Sequence, residues 1–273
     1  MKGRMTLKKL HFLIFAMLLL VFIGTGCSND EGKNKTQKDG DQVELTVSAA
    51  VSLQDALSDI KTAFEKDYPN VKVNFNLGAS GALQQQISQG APVDLFFSAA
   101  EDKFEKLVDE DLIDEKNKIN LVGNQLVLVV PKDSDKDLRS IAELTKADKV
   151  SIGTPESVPA GQYAKQTLEN SNLWKEIEDK VVYSKDVRQV LTYVESGNVD
   201  AGLVYKTDAL SSSKVKLVAT AKENLHDPII YPVGIIKESS HQKEAQQFYD
   251  YLQTPASMKI FIKSGFEDLN NKE

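Results

Sequence analysis

The sequence predicts an α/β protein with mixed, mostly parallel sheets. Short runs rich in β-branched and aromatic residues alternate with stretches whose apolar residues recur at helical spacing. Several of these runs are continuously apolar, as expected for strands covered on both faces. Such alternation is the pattern of strand–helix–strand crossovers. The size agrees: 273 residues, 41% hydrophobic and 27% charged, suffice for a real core in one large domain or two modest ones.

The chain opens on an address. Residues 1–9 carry Lys2, Arg4, Lys8 and Lys9 and no acid, an apolar run follows from Leu10 to Ile23, and Gly24-Thr25-Gly26 precede Cys27. A basic start, an apolar stretch and small residues before a cut describe a secretory leader over residues 1–26. The run is short for a membrane span, which needs about 20 residues. Cys27 is the single cysteine, and its position resembles a bacterial lipobox, with Gly24 where that pattern usually has Leu. The resemblance implies that Cys27 is lipidated and becomes the mature N-terminus. Ser28–Gln42 holds no apolar residue and reads as a flexible tether, so 27–42 links lipid to domain. One acyl chain holds a protein weakly, so stable anchoring needs several.

From Val43 on, strands are expected at 43–49, 71–77, 93–98, 126–130, 149–153, 180–184, 199–205, 215–220 and 231–236. Leu53, Ala56, Leu57, Ile60, Ala63 and Phe64 form one helical stripe; Leu83 with Ile87, Val187 with Val190, Leu191 and Val194, and Phe248 with Leu252 form others. Thr254-Pro255 supplies a cap and a first-turn proline for a last helix. No composition marks a linker, so two lobes would have to be joined by crossover strands; 121–127 and 229–233 are the candidates.

Composition and motif content exclude several chemistries. The formal charge is −7, and loss of residues 1–26 removes four bases and no acid, taking it to −11; a nucleic-acid binder needs a basic face instead. One cysteine forbids an intrachain disulfide and a Cys-rich metal site. There is no phosphate-binding Gly-rich loop and no dinucleotide fingerprint. Gly78-Ala79-Ser80-Gly81-Ala82 lacks the last glycine of a nucleophile elbow. His226 and His241, the mature histidines, sit in polar surroundings and make poor triad members.

The positive signal is four helix mouths built from small or hydroxyl residues. Ser52 follows Ala49-Ala50-Val51 as a natural N-cap, and Ser80 stands at the mouth of a helix over 82–89. Val158-Pro159-Ala160-Gly161 leads into a helix running to Asn170, and Asp186 with Gln189 forms a capping-box arrangement ahead of Val187. A helix start offers free N–H groups and the positive end of the dipole, and several aimed at one point make an anion site without a basic side chain. Taken singly, each is a structural cap. Small neighbours that let a ligand approach the backbone, at the carboxyl ends of strands, favour the functional reading.

The chain also resembles the molybdate-binding components of bacterial ABC importers. The motifs are AAVSL (49–53), LGASGAL (77–83), GAPVDLFFSA (90–99), LVGNQLVLVVPK (121–132), SVPAGQYAKQTLE (157–169), KDVRQVL (185–191), AGLVYKTDA (201–209), YPVGII (231–236) and FYDYL (248–252), in the family's order. The resemblance implies a two-lobed type II periplasmic-binding-protein fold with two crossover hinge strands: 43–122 and 232–273 in the first lobe, 123–231 in the second. It implies an extracytoplasmic receptor, anchored to the cell membrane through Cys27, monomeric and not an enzyme, that hands molybdate or tungstate to a permease. No cofactor and no bare metal ion are implied; molybdenum enters only as its oxyanion. The implied donors are hydroxyl and backbone N–H of Ser52 and Ser80, the backbone N–H of Ala160 and Val187, and the hydroxyl of Tyr205. Tyr205 alone comes from the resemblance; its residue context reads as a core aromatic at a strand end. The sequence departs from the family at Val51, usually alanine, and at Ala79-Ser80-Gly81, usually a serine string.

Neutral donors suit a dianion that must have every oxygen bonded once buried. Phosphate keeps a proton that a donor-only shell cannot accept. Sulfate is fully ionised, so only cavity size can reject it, and a receptor for sulfate or phosphate on the same fold is the alternative reading. A secreted hydrolase using Ser52 or Ser80 is a more distant one. Arg188 and Lys206, beside two of the donors, read as solvated neighbours.

Overall fold

A computed structural model of the chain describes residues 42–269. The expected leader, Cys27 and nearly all of the tether lie outside them. Eleven strands form two sheets among the described residues. The first holds β1 (Val43–Ala50), β2 (Val71–Gly78), β3 (Leu95–Phe97), β4 (Ile113–Gly123), β10 (Ile230–Ile236) and β11 (Glu267–Asp268), in the order β11-β4-β10-β3-β1-β2. The second holds β5 (Leu126–Pro131), β6 (Val150–Gly153), β7 (Val181–Ser184), β8 (Ala201–Tyr205) and β9 (Val215–Thr220), in the order β7-β6-β8-β5-β9. Each sheet has a parallel half, β3-β1-β2 and β7-β6-β8, and an antiparallel half. The sheets are mixed, as expected, but not mostly parallel: among the described residues four strand pairings are parallel and five antiparallel, because β4, β5, β9, β10 and β11 pair across the crossovers and the chain's end rather than through strand–helix–strand units. The chain passes from the first sheet to the second through Asn124-Gln125 and returns between Thr220 and Ile230, which gives two lobes joined by two crossovers.

The helices are α1 (Gln54–Asp67), α2 (Ser80–Ser88), α3 (Glu101–Asp109), α4 (Pro159–Asn170), α5 (Trp174–Ile177), α6 (Val187–Glu195), α7 (Lys206–Leu210), α8 (Gln242–Leu252) and α9 (Pro255–Lys263). The helical stripes read from sequence are the buried faces. Helix α1 buries Ala56, Leu57, Ile60 and Phe64, and α6 buries Val187, Val190, Leu191 and Val194. Phe64 stacks on Tyr68 at 4.7 Å and meets Phe248 of α8 edge-on at 5.0 Å, which fastens both helices to the first sheet. Each such ring contributes about 1.5–3 kcal/mol through burial. Thr254 caps α9 by accepting from the Ser257 N–H. Gly161 presses α4 onto β6: a Cβ there would lie 2.0 Å from the Gly153 carbonyl oxygen.

Two long elements were not among the expected ones. Strand β4 carries Asp114-Glu115-Lys116-Asn117-Lys118 in its first half, so it lacks the apolar signature; its pairing with β10 holds it in place. Helix α3 (EDKFEKLVD) shows solvent every side chain but Lys103, Phe104 and Leu107 and a part of a few others, too narrow a stripe to stand out in the sequence. Its Phe104 packs in parallel on Phe96 of β3 at 5.8 Å.

Candidate functional site

Register places the donors of the first lobe. Strands β1 and β2 run in step from Val43 beside Val71 to Ala50 beside Gly78. Two residues past each strand end stand Ser52 and Ser80, both buried. In the second lobe β6 and β7 end side by side at Gly153 and Ser184, and the chain enters α4 at Pro159 and α6 at Val187. Tyr205 is the last residue of β8, the neighbour of β6. These parallel strands therefore aim four helix approaches and one phenol from their carboxyl ends toward the gap between the lobes.

The five expected positions come together. Ser52, Ser80, Ala160, Val187 and Tyr205 all line one cavity of about 10 Å³. Ala160 and Val187 lie in the first turns of their helices, where the N–H groups have no carbonyl of their own helix to meet. The Tyr205 hydroxyl is fully buried and has no hydrogen-bond partner. Burial pushes its phenol well above the ordinary value, so it remains a donor at any physiological pH. Such an orphaned donor costs about 1–3 kcal/mol unless a ligand supplies the acceptor.

The serines do not act as helix caps, contrary to expectation. A cap residue is extended, and the extended positions are Ala50 (ψ 132°) and Ala79 (ψ 135°). Ser52 falls in the 3-10 turn Val51–Leu53 and Ser80 in the first turn of α2. Their hydroxyls are held otherwise. Ser52 Oγ lies 2.9 Å from Tyr231 Oη, and Ser80 Oγ accepts from the Ala99 N–H at 2.9 Å. At Val187 the cap does form, with Asp186 Oδ1 accepting from the Gln189 N–H, while Gln189 Oε1 reaches back one residue beyond the cap to accept from the Lys185 N–H, both at 2.8 Å.

The lobes meet around this cavity. The Gly81 N–H donates to the Ser157 carbonyl across the cleft at 3.0 Å, and the approach is so close that a Cβ on Gly81 would lie 2.8 Å from that oxygen. Arg188 is not a solvated neighbour. Its Nη2 lies 2.6 Å from Asp55 Oδ2 of α1, in the other lobe, and its Nε lies 2.7 Å from Asp208 Oδ1. Asp208 is fully buried, and burial pushes its carboxyl up to about 7 against the pull of the guanidinium. The arginine thus closes an ion-pair cluster at the rim. A larger hollow of about 320 Å³, lined by Asp55, Arg188 and Ser211, shares Ser52 with the small cavity. Sequence reasoning missed Tyr231, Ala99 and Asp55. The first stands in a segment read as a strand, a crossover and a family motif but not as part of the site, and none is near its partner in the chain.

A small cavity lined from both of two lobes, by Ser52 and Ser80 on one side and Ala160, Val187 and Tyr205 on the other, is the architecture of a solute-binding receptor. The chain belongs to the bacterial extracellular solute-binding protein family, whose model matches residues 45–267. It is 53% identical over 258 residues to a Bacillus subtilis chain provisionally named as an ABC transporter substrate-binding lipoprotein, YvgL, covering 94% of this chain and 98% of that one. It is 38% identical over 232 residues to the molybdate-binding protein ModA of Escherichia coli, covering 83% and 90%. Among solved structures, the substrate-binding domain of a Clostridium difficile transporter provisionally assigned to molybdenum superposes with a TM-score of 0.66 at 43% identity, over 83% of this chain and 99% of that one.

Proposed function

We propose that the protein captures molybdate, and tungstate as its near isostere, outside the cytoplasm and delivers it to the permease of an ABC importer. Ser52 and Ser80 donate from the first lobe, and Ala160, Val187 and Tyr205 donate from the second. The observation that carries the reading is the convergence of these five positions on one small cavity, with the Tyr205 hydroxyl buried and unpartnered. The cavity is far too small for a sugar or peptide, no charged side chain lines it, and Arg188, next to Val187, is already engaged by two carboxylates. Neutral, preorganised donors can bond a dianion's oxygens with little reorganisation. Anchoring through Cys27, a monomeric state and the absence of catalysis complete the reading. A hydrolase would need a base beside a serine, whereas Ser52 and Ser80 are held by Tyr231 and Ala99, and the rings of His226 and His241 face Asp227 and Asp94.

Thermal denaturation with added oxyanions tests this. Molybdate at about 100 times its dissociation constant should stabilise the protein by about 2.7 kcal/mol. A shift with another ligand and none with molybdate or tungstate refutes the reading. Sulfate binding as tightly as molybdate in a calorimetric competition transfers it to a sulfate receptor on the same fold.

A further inference from the structure

We propose that Tyr231 and Asn124 are positioning residues that fix the direction of the Ser52 hydroxyl proton, and so make the cavity select oxyanions that carry no proton. The inference rests on the oxyanion reading above.

The chain of polarity starts at the backbone. The Gln125 N–H donates to Asn124 Oδ1 at 2.9 Å, which settles the orientation of that amide. Its Nδ2 then donates to Thr207 Oγ1 at 3.0 Å and to Tyr231 Oη at 3.2 Å. Tyr231 Oη therefore accepts from Asn124, and the relay assigns its one proton to Ser52 Oγ at 2.9 Å, a pair in which either oxygen can donate. With an acceptor position of Ser52 so filled, the serine's own proton is free to point into the cavity. Asn124, Tyr231 and Ser52 are 6%, 0% and 3% exposed, so bulk water does not compete for these bonds.

Ser80 is polarised the same way, since its oxygen accepts from the Ala99 N–H. Tyr205 makes no hydrogen bond of ordinary geometry through its hydroxyl, although the Tyr231 hydroxyl is close enough to act on it. All three cavity hydroxyls can thus present protons together. A ligand that brings its own O–H finds no acceptor there and carries an unmade hydrogen bond into a closed site. Discrimination by protonation is built into a relay that begins at the crossover between the lobes, two side chains away from the ligand.

The test compares molybdate with hydrogen phosphate at about pH 8, where both are dianions and only phosphate keeps a proton. Molybdate affinity is read by calorimetry and phosphate affinity by competition against molybdate. Tyr231→Phe keeps the ring contacts with Tyr205 and Phe266 but frees the Ser52 proton to turn away; it should weaken molybdate by about three- to tenfold and leave phosphate unchanged or improved. Asn124→Asp should do more. The carboxylate takes the Tyr231 proton, Tyr231 takes the Ser52 proton, and a serine lone pair then faces the ligand. The molybdate-to-phosphate ratio should fall by about tenfold or more. If Asn124→Asp does not fold, Tyr231→Phe carries the test alone. A purely structural role would weaken both anions by the same factor, and that result, or an unchanged molybdate affinity, overturns the relay. A parent protein that binds no tetrahedral oxyanion overturns the site reading itself; a parent that binds molybdate with a ratio unmoved in the variants overturns the relay alone.

Discussion

Two regions of the cleft lie within a few residues of each other and are built on opposite principles. The cavity is lined by Ser52, Ser80, Ala160, Val187 and Tyr205 and contains no charged side chain. The rim gathers Arg188, Asp55 and Asp208 into a cluster with more negative than positive charge. Helix α6 contributes to both through adjacent residues: Val187 lines the cavity, and Arg188 reaches the carboxylates. The difference teaches what each kind of group is for. A fixed N–H or O–H can be satisfied by one small ion and released with it. A guanidinium paired to carboxylates of both lobes can instead hold them together.

The largest effect should come from the cavity side. Ser52→Ala and Ser80→Ala should each lose about 1.5–3 kcal/mol of oxyanion affinity, roughly ten- to hundredfold in calorimetry. Neither serine caps a helix, but each truncation strands a buried partner, Tyr231 Oη or the Ala99 N–H, so stability without ligand should also fall, by about 1–3 kcal/mol. Next is the contact between the lobes. Gly81→Ala forces a Cβ against the Ser157 carbonyl and should weaken binding by about 1 kcal/mol or more. It should also raise the ligand-free melting temperature slightly, since alanine suits a helix by about 0.5–1 kcal/mol over glycine; opposite signs in the two measurements mark a closure defect.

Smaller effects sharpen the view of the rim. Arg188→Gln and Asp55→Asn should both weaken binding by about 0.3–1 kcal/mol, the range of partly exposed pairs. If Arg188 instead drew in the anion, Asp55→Asn would release it and tighten binding, so the sign in that one titration separates the two roles. The smallest effect is on pH. A carboxyl whose folded pKa lies above its unfolded value of about 4 makes stability fall as pH rises, from there to the folded value of about 7 at Asp208, and flat beyond. Asp208→Asn should remove that decline between pH 4 and 7 in denaturant titrations.

Legibility in the sequence followed the range of the interactions. The stripe on α1, the stripe on α6 and the caps at Asp186 and Thr254 are local patterns, and each is present. Strand β4 was hidden because its polar half is held by tertiary pairing rather than by its own composition. At the site, each helix mouth could be seen alone, but nothing local says that the mouths share a point; only the family motifs supplied that, and only they singled out Tyr205. Partners far apart in the chain left no trace at all. Ser52 and Tyr231 are separated by 179 positions and Arg188 and Asp55 by 133, so their pairing is a property of the fold.

A crystal structure of the protein soaked in or grown with molybdate, with the metal located by its anomalous scattering, tests the central claim most directly. The account predicts molybdenum between the two lobes, its oxygens on the hydroxyls of Ser52, Ser80 and Tyr205 and the N–H groups of Ala160 and Val187, with Arg188 still on Asp55 and Asp208. Molybdenum bonded to the Arg188 guanidinium in the outer hollow, with the inner cavity filled by side chains, would contradict it.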